Sequence, residues 1–190
     1  KFGRAEEISL ENESVEGILA TLTIHHWTDL RQAFRELNRV LKSDGKIVIF
    51  TTTPEQNVGY WLCNYFPNML KAGCEQLPDF ETVEDALNEG GFEIIKTEKY
   101  FVREDVEDAF LFAGKYHPEF YLDEKNRQGI SSFADLANSE EVENGLKKLE
   151  RDIISGKINE IIADYENDLG DYLFVIAQKE IGRASCRERV

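Results

Sequence analysis

The feature that most constrains the fold of this chain is a strand–helix–strand pattern between Val15 and Pro54. An apolar run from Val15 to Ile24 is rich in branched side chains and suits a strand buried on both faces. Thr28 and Asp29 offer N-cap oxygens, and apolar residues then recur every three or four positions, which predicts a helix. A second apolar run follows from Lys46 to Phe50. Two buried strands joined by a helix predict a parallel βαβ unit with a right-handed crossover.

The elements after this unit are predicted from the same patterns. Within the unit itself, Gly45 is expected to end the helix between the two strands as a left-handed C′ residue. The segment Gln56–Ala72 is dense in aromatic side chains, which fits either helix packing or the wall of an apolar pocket. Phe92–Val102 and Asp171–Lys179 are predicted strands. The acidic stretch Asp105–Asp168 between them is predicted to be mostly helical, an insertion of the kind that often carries specificity.

Composition excludes several classes of protein. The 190 residues, 42% of them hydrophobic, suffice for one globular core, and no run of eighteen apolar residues predicts a membrane span. A net charge of −15 argues against nucleic acid and favours a soluble, cytoplasmic protein with a small neutral or cationic substrate. The three cysteines show no C-x-x-C spacing, so neither a disulfide framework nor a zinc site is predicted. Cys63 and Cys74 are expected to be ordinary half-buried residues.

Three stretches carry a resemblance to a known family. They are G-R-A-E-E at Gly3–Glu7, T-I-H-H-W at Thr23–Trp27 and F-R-E-L-N-R-V-L-K-S-D-G at Phe34–Gly45. Together they closely resemble class I S-adenosylmethionine-dependent methyltransferases, in particular the broad small-molecule group called type 11. The resemblance covers the first fifty or so residues well and the remainder loosely.

The resemblance implies an α/β fold with a Rossmann-like methyltransferase sheet. The family's strand order is 3-2-1-4-5-7-6, with the seventh strand antiparallel, and this chain is expected to contain its C-terminal part, 4-5-7-6. The family's Gly-rich cofactor loop has no counterpart here, so we expect an N-terminally truncated domain, residues 1–179, with a helical insertion or cap at 103–170. Residues 180–190 become arginine-rich and are interpreted as a non-native tail.

The resemblance also assigns cofactor-binding residues. Ala5 and Glu6 would lie in the loop beside the adenine of S-adenosylmethionine, where Arg4 replaces a more usual acidic residue. An arginine side chain cannot accept a hydrogen bond from the adenine amino group, but a backbone contact at Ala5 would remain. Thr21 and Leu22 match the end of the family's fourth strand, whose backbone groups face the methionine part of the cofactor. No metal site is predicted.

His25 and His26 allow two interpretations. His26 is the candidate catalytic residue, a general base for the methyl acceptor, because histidine titrates near neutral pH. Alternatively, both histidines are structural, with a ring nitrogen bonded to the loop backbone and Trp27 packed on the helix.

The predicted function is transfer of a methyl group from S-adenosylmethionine to a small organic acceptor, with the chain as given expected to be inactive. The alternatives are a non-catalytic methyltransferase-like binding or regulatory module and, less consistent with the motifs, a nicotinamide-dependent oxidoreductase. No nucleic-acid or membrane partner is expected. The strand near Val15–Leu22 would have a free edge, which predicts poor solubility or self-association.

Overall fold

A mixed four-stranded sheet organises the chain, whose residues 3–180 are described by a computed structural model. The strands are β1 (Val15–Thr21), β2 (Leu41–Thr51), β3 (Phe92–Tyr100) and β4 (Tyr172–Lys179), in the order β1-β2-β4-β3. β1 is parallel to β2, whereas β4 is antiparallel to β2. The predicted order, with the last strand antiparallel beside the second, is therefore confirmed, as is the α/β fold class.

Helix α1 (Leu30–Val40) connects the two parallel strands. Asp29 is its N-cap, with a side chain that accepts a hydrogen bond from the Gln32 backbone N–H at 2.9 Å. Its apolar side faces a core in which Phe34 lies edge-on to two other rings. The ring centroid of Phe34 is 5.5 Å from that of Trp27 and 6.3 Å from that of Phe92. The predicted βαβ unit is thus present, but the expectation that its first strand is buried on both faces is wrong. Only Ala20 of β1 is buried and Leu19 is 69% exposed, because β1 is the outermost strand of the described sheet.

The prediction for Gly45 is wrong. The helix ends at Val40, and Leu41 is already extended and fully buried as the first residue of β2. Gly45 lies inside β2, where the register between the parallel strands shifts, and its φ is not positive. A Cβ atom on residue 45 would lie 2.5 Å from both Cγ and Cδ1 of Leu41. Close approach of a buried side chain, not a left-handed turn, explains this glycine.

The described residues form two compact units. The first contains the residues up to Thr51, Pro78–Glu98 and those from Leu173 onward. It includes α4 (Phe80–Glu89), which lies against α1. Its core consists of apolar side chains from the sheet and both helices: Ala20, Ile24, Phe34, Leu37, Leu41, Ile47, Ile49, Val83, Ala86, Leu87, Phe92, Val175 and Ala177.

The second unit contains Thr52–Leu77 and Lys99–Tyr172 and is mainly helical. Its helices are α2 (Pro54–Val58), α3 (Pro67–Gln76), α5 (Glu124–Gln128), α6 (Ser139–Ser155) and α7 (Ile158–Asp164), joined by short 3-10 and π turns. The predicted domain boundaries, with a cap at 103–170, remain a prediction. The structure groups Thr52–Leu77 with that insertion.

Aromatic side chains form much of the core of this second unit. The densely aromatic segment after β2 is packed inside it, because Tyr60, Trp61, Tyr65 and Phe66 are each at most 3% exposed. Cys63 and Cys74 are half-buried free thiols, as predicted. Burial, reinforced by the neighbouring Cys74, raises the pKa of the Cys63 thiol to about 11, which makes it a poor nucleophile at neutral pH.

A largely buried ion pair lies among the loops of the second unit. The Lys115 ammonium is 2.8 Å from each carboxylate oxygen of Asp171, whose side chain is 7% exposed. The same carboxylate accepts a hydrogen bond of 2.7 Å from the Val102 backbone N–H. No helix between residues 3 and 180 is both long and apolar enough for a membrane span.

Candidate functional site

The carboxyl ends of β1 and β2 meet at one edge of the sheet because these strands are parallel. Thr21, the last residue of β1, is exposed and pairs in register with Phe50. Leu22 follows and donates its backbone N–H to the Phe50 carbonyl at 2.7 Å. In open α/β sheets this edge is where ligands bind. Thr21 and Leu22, the two residues predicted to face the methionine part of a cofactor, are therefore placed at the expected edge.

Leu22 has an unusual backbone conformation. Its φ is 45°, in the left-handed region that L residues avoid at a cost of roughly 1–2 kcal/mol. Such strain persists only where neighbouring structure fixes it, and it is found preferentially at functional sites. The hydrogen bond to Phe50 and the buried side chain of Ile24, 1% exposed, hold this turn on either side.

His25 and His26 lie in a single 3-10 turn, Ile24–His26, which begins two residues after this strained residue. Their rings contact each other with centroids 4.0 Å apart. Burial, followed by the charge of His26, lowers the pKa of His25. Within residues 3–180, His25 Nδ1 is buried without a hydrogen-bond partner, whereas the His26 side chain is exposed. The structural interpretation needs a ring nitrogen that is hydrogen-bonded to the loop backbone. His25 Nδ1 makes no such bond within residues 3–180.

The side chain of Glu6 contacts the two residues that precede α1. Its carboxylate accepts hydrogen bonds from the Thr28 N–H at 2.7 Å, the Thr28 hydroxyl at 2.8 Å and the Asp29 N–H at 3.3 Å. The Thr28 hydroxyl makes the largest contribution to lowering the pKa of Glu6 to about 2. Arg4 donates to the same hydroxyl at 2.6 Å. Oε1 of Glu6 is therefore committed to protein donors, and Oε2 pairs with Arg4 Nε at 3.5 Å.

Arg39 and Glu36, near the end of α1, hold the residues that follow Glu6. Arg39 donates to the carbonyls of Ile8 and Leu10 at 2.8 and 2.9 Å and to Asn12 Oδ1 at 2.8 Å. Glu36 accepts from the Ile8 N–H at 3.2 Å. This network was not predicted from the sequence. Its only local signal is the i,i+3 spacing of Glu36 and Arg39 on the helix, because the other partners are 27–31 residues away.

The predicted site residues fall into two groups in the structure. Thr21, Leu22 and the histidine turn lie at the carboxyl end of β1, and Ala5 and Glu6 lie beside the first turn of α1. Among residues 3–180, no hydrogen bond joins Ala5 or Glu6 to Thr21, Leu22 or His26. The same range contains no cluster of metal-ligating side chains.

Comparison with known proteins identifies relatives of this arrangement. The sequence model of the methyltransferase domain family matches residues 2–49. A solved protein of Anabaena variabilis ATCC 29413, named as a methyltransferase from an antibiotic biosynthesis pathway, is 35% identical with a TM-score of 0.78. The match covers 92% of this chain and 70% of that one. Curated protein sequences give no significant match.

More distant structures share the fold. A sarcosine dimethylglycine methyltransferase structure from Galdieria sulphuraria is 17% identical, with a TM-score of 0.50; the match covers 95% of this chain and 58% of the other. A chain of the Haloferax volcanii complex between the Trm112 methyltransferase activator and a methyltransferase is 11% identical, with a TM-score of 0.51. That match covers 95% of this chain and 60% of the other. The chain thus spans less than two thirds of these two proteins.

Proposed function

Since the chain belongs to the class I S-adenosylmethionine-dependent methyltransferases, we propose that it takes part in methyl transfer to a small organic acceptor. S-adenosylmethionine is the methyl donor of this class. The observation that carries the proposal is the strained turn at Leu22, placed at the carboxyl edge of a parallel strand pair and followed three and four residues later by two histidines. The donor would lie along this edge.

The residues at the carboxyl end of β1 and those beside the first turn of α1 would hold the donor through different chemical groups. Thr21 and Leu22 offer backbone groups at the sheet edge. Ala5 offers a backbone N–H for which no acceptor is found within residues 3–180. The Glu6 carboxylate fits poorly as a direct ligand, because its Oε1 accepts from three protein donors and its Oε2 lies 3.5 Å from Arg4 Nε. We therefore assign Ala5 and Glu6 a backbone role beside the adenine, and Glu6 an additional structural role.

When bound, the donor supplies a methyl group activated by the attached sulfonium sulfur. The chain contributes position and, where the acceptor must lose a proton, a base. His26 is the proposed base because its ring is exposed beside the loop that follows β1. His25 packs against that ring and has a lowered pKa, so it would remain neutral and orient its neighbour.

Donor affinity and activity of the chain as given are proposed to be low. The sequence contains no G-x-G-x-G run, so the close backbone approach that such a loop provides is missing from these 190 residues. We expect binding weaker than about 100 µM and no measurable methyl transfer.

Titration with S-adenosylhomocysteine, followed by amide shifts in ¹H–¹⁵N spectra, tests the proposal. Weak, saturable shifts at Thr21, Leu22 and Ala5 are expected. His26→Ala is expected to change donor affinity less than twofold, because a base for the acceptor does not hold the donor. Micromolar affinity would contradict the proposed weakness, and the absence of any shift at millimolar ligand would contradict donor binding by this chain.

Self-association through the outer edge of β1 is a further part of the proposal. Within the described sheet β1 has a neighbour on one side only, and Leu19 on this strand is 69% exposed. A free strand edge with exposed apolar side chains favours pairing with a second copy.

A further inference from the structure

The segment before β1, residues 3–14, lies along α1 and is fastened at both ends of that helix. Just before the first turn, the Glu6 carboxylate accepts from the backbone N–H groups of Thr28 and the N-cap residue Asp29. At the last turn, the Glu13 and Ser14 N–H groups donate to the carbonyls of Arg39 and Val40 at 2.9 and 2.8 Å. The segment therefore bonds donors that immediately precede an 11-residue helix and acceptors in its last turn, about 16 Å apart.

Arg39 uses all five of its N–H donors in this arrangement. Nε and one Nη2 hydrogen donate to the two Glu36 oxygens at 3.0 and 2.9 Å. The other three reach the Ile8 and Leu10 carbonyls and Asn12 Oδ1. A guanidinium offers five donors in a fixed planar fork, so a full set of partners fixes its position and theirs.

The two other arginines on the same helix make a useful contrast. Arg31 and Arg35 are more than half exposed, and both pair with Glu89 on the surface. Exposed ion pairs of this kind contribute little to stability. Arg39 is 32% exposed and Glu36 18%, and their bonds to backbone carbonyls are charge-assisted. The distinct role of Arg39 is thus to order residues 8–12.

We propose that Arg39 is a positioning residue, which holds the segment in the one conformation that presents Ala5 and Glu6 to the methyl donor. This inference rests on the proposed function in assigning donor contacts to Ala5 and Glu6. Arg39 itself does not touch the donor. It acts through Glu36 and the carbonyls of residues 8–12, because fixing these residues limits the positions open to the chain two to three residues earlier.

Arg39→Lys is the informative variant, with Arg35→Lys as its matched control. Lysine keeps the positive charge and helix propensity, but its single ammonium cannot reproduce a planar fork that reaches five acceptors. Amide hydrogen exchange, followed by ¹H–¹⁵N spectra in the absence of ligand, measures order in residues 8–14. Arg39→Lys is expected to lower the protection of the Ile8, Glu13 and Ser14 amides about tenfold or more while core β2 amides keep theirs. Arg35→Lys should leave all of them unchanged.

The same samples titrated with S-adenosylhomocysteine separate positioning from general stability. Arg39→Lys is expected to weaken donor binding about tenfold, while the urea midpoint for unfolding of the core stays unchanged. Arg35→Lys is expected to change donor affinity less than twofold. Unchanged protection of the segment, or lost protection with unaltered donor affinity, would overturn the inference. If the wild-type chain binds no donor, the proposed function fails, and the exchange comparison alone then decides whether Arg39 orders the segment.

Discussion

Replacing Asp171 with alanine tests whether the buried ion pair stabilises the second, mainly helical unit (here called the helical unit). The substitution removes both 2.8 Å contacts to Lys115 and leaves the Val102 N–H without its acceptor. Removing one partner of a buried pair costs about 3–5 kcal/mol, but Lys115 is 25% exposed and regains some hydration. We therefore expect a loss of about 3 kcal/mol in the free energy of unfolding, or a Tm lower by roughly 6–12 °C.

The assay can isolate the helical unit because the chain has two tryptophans, and only Trp61 lies there. In a Trp27→Phe background, urea unfolding followed by fluorescence reports on Trp61, whose indole N–H donates to the Lys115 carbonyl at 3.2 Å. Asp168→Ala is the matched control, since that side chain is fully exposed and should matter by less than about 0.5 kcal/mol. A loss below about 1 kcal/mol for Asp171→Ala, or equal losses for both variants, would refute the reasoning.

Three further predictions concern the sheet unit. Because the pKa of Glu6 is depressed from 4.5 to about 2, its stabilisation is present above pH 4.5 and is lost as the pH falls towards 2; Glu6→Gln should flatten this part of the stability–pH curve measured by thermal melts. At position 22, Leu22→Gly should be more stable than Leu22→Ala by about 1 kcal/mol in urea, since only glycine adopts a φ of 45° without strain, and equal stabilities would argue against that strain. Leu19→Lys should reduce self-association in sedimentation velocity, whereas a wild-type chain that stays monomeric at high concentration would exclude pairing through β1.

The elements that could be predicted are those fixed by local pattern. Period-3.6 apolar spacing and the Asp29 cap place α1 correctly from Leu30, and the apolar runs locate the strands. The strand order followed from the family resemblance, because apolar runs alone do not reveal which strands are neighbours. The error at Gly45 arose because a glycine after a helix suits a C′ residue as well as a crowded strand position, and only the packing of Leu41 decides between them.

The parts that could not be predicted depend on contacts between residues distant in sequence. The bonds of Arg39 to residues 8–12 and the ion pair between Lys115 and Asp171, 56 residues apart, have no local sequence pattern. The aromatic segment after β2 illustrates the same limit. Its composition allowed both packing and pocket roles, and the structure buries Tyr60, Trp61 and Phe66 in the core of the helical unit.

The carboxyl edge of β1 and the segment before it are proposed to bind the methyl donor together. The most direct measurement is a residue-by-residue map of ¹H–¹⁵N shift changes on titration with S-adenosylhomocysteine, with adenosine alone as a comparison ligand. The account predicts that S-adenosylhomocysteine perturbs Ala5, Glu6, Thr21 and Leu22, and that adenosine alone perturbs Ala5 and Glu6 without the strand end. Shifts confined to other residues, or a pattern identical for the two ligands, would contradict it.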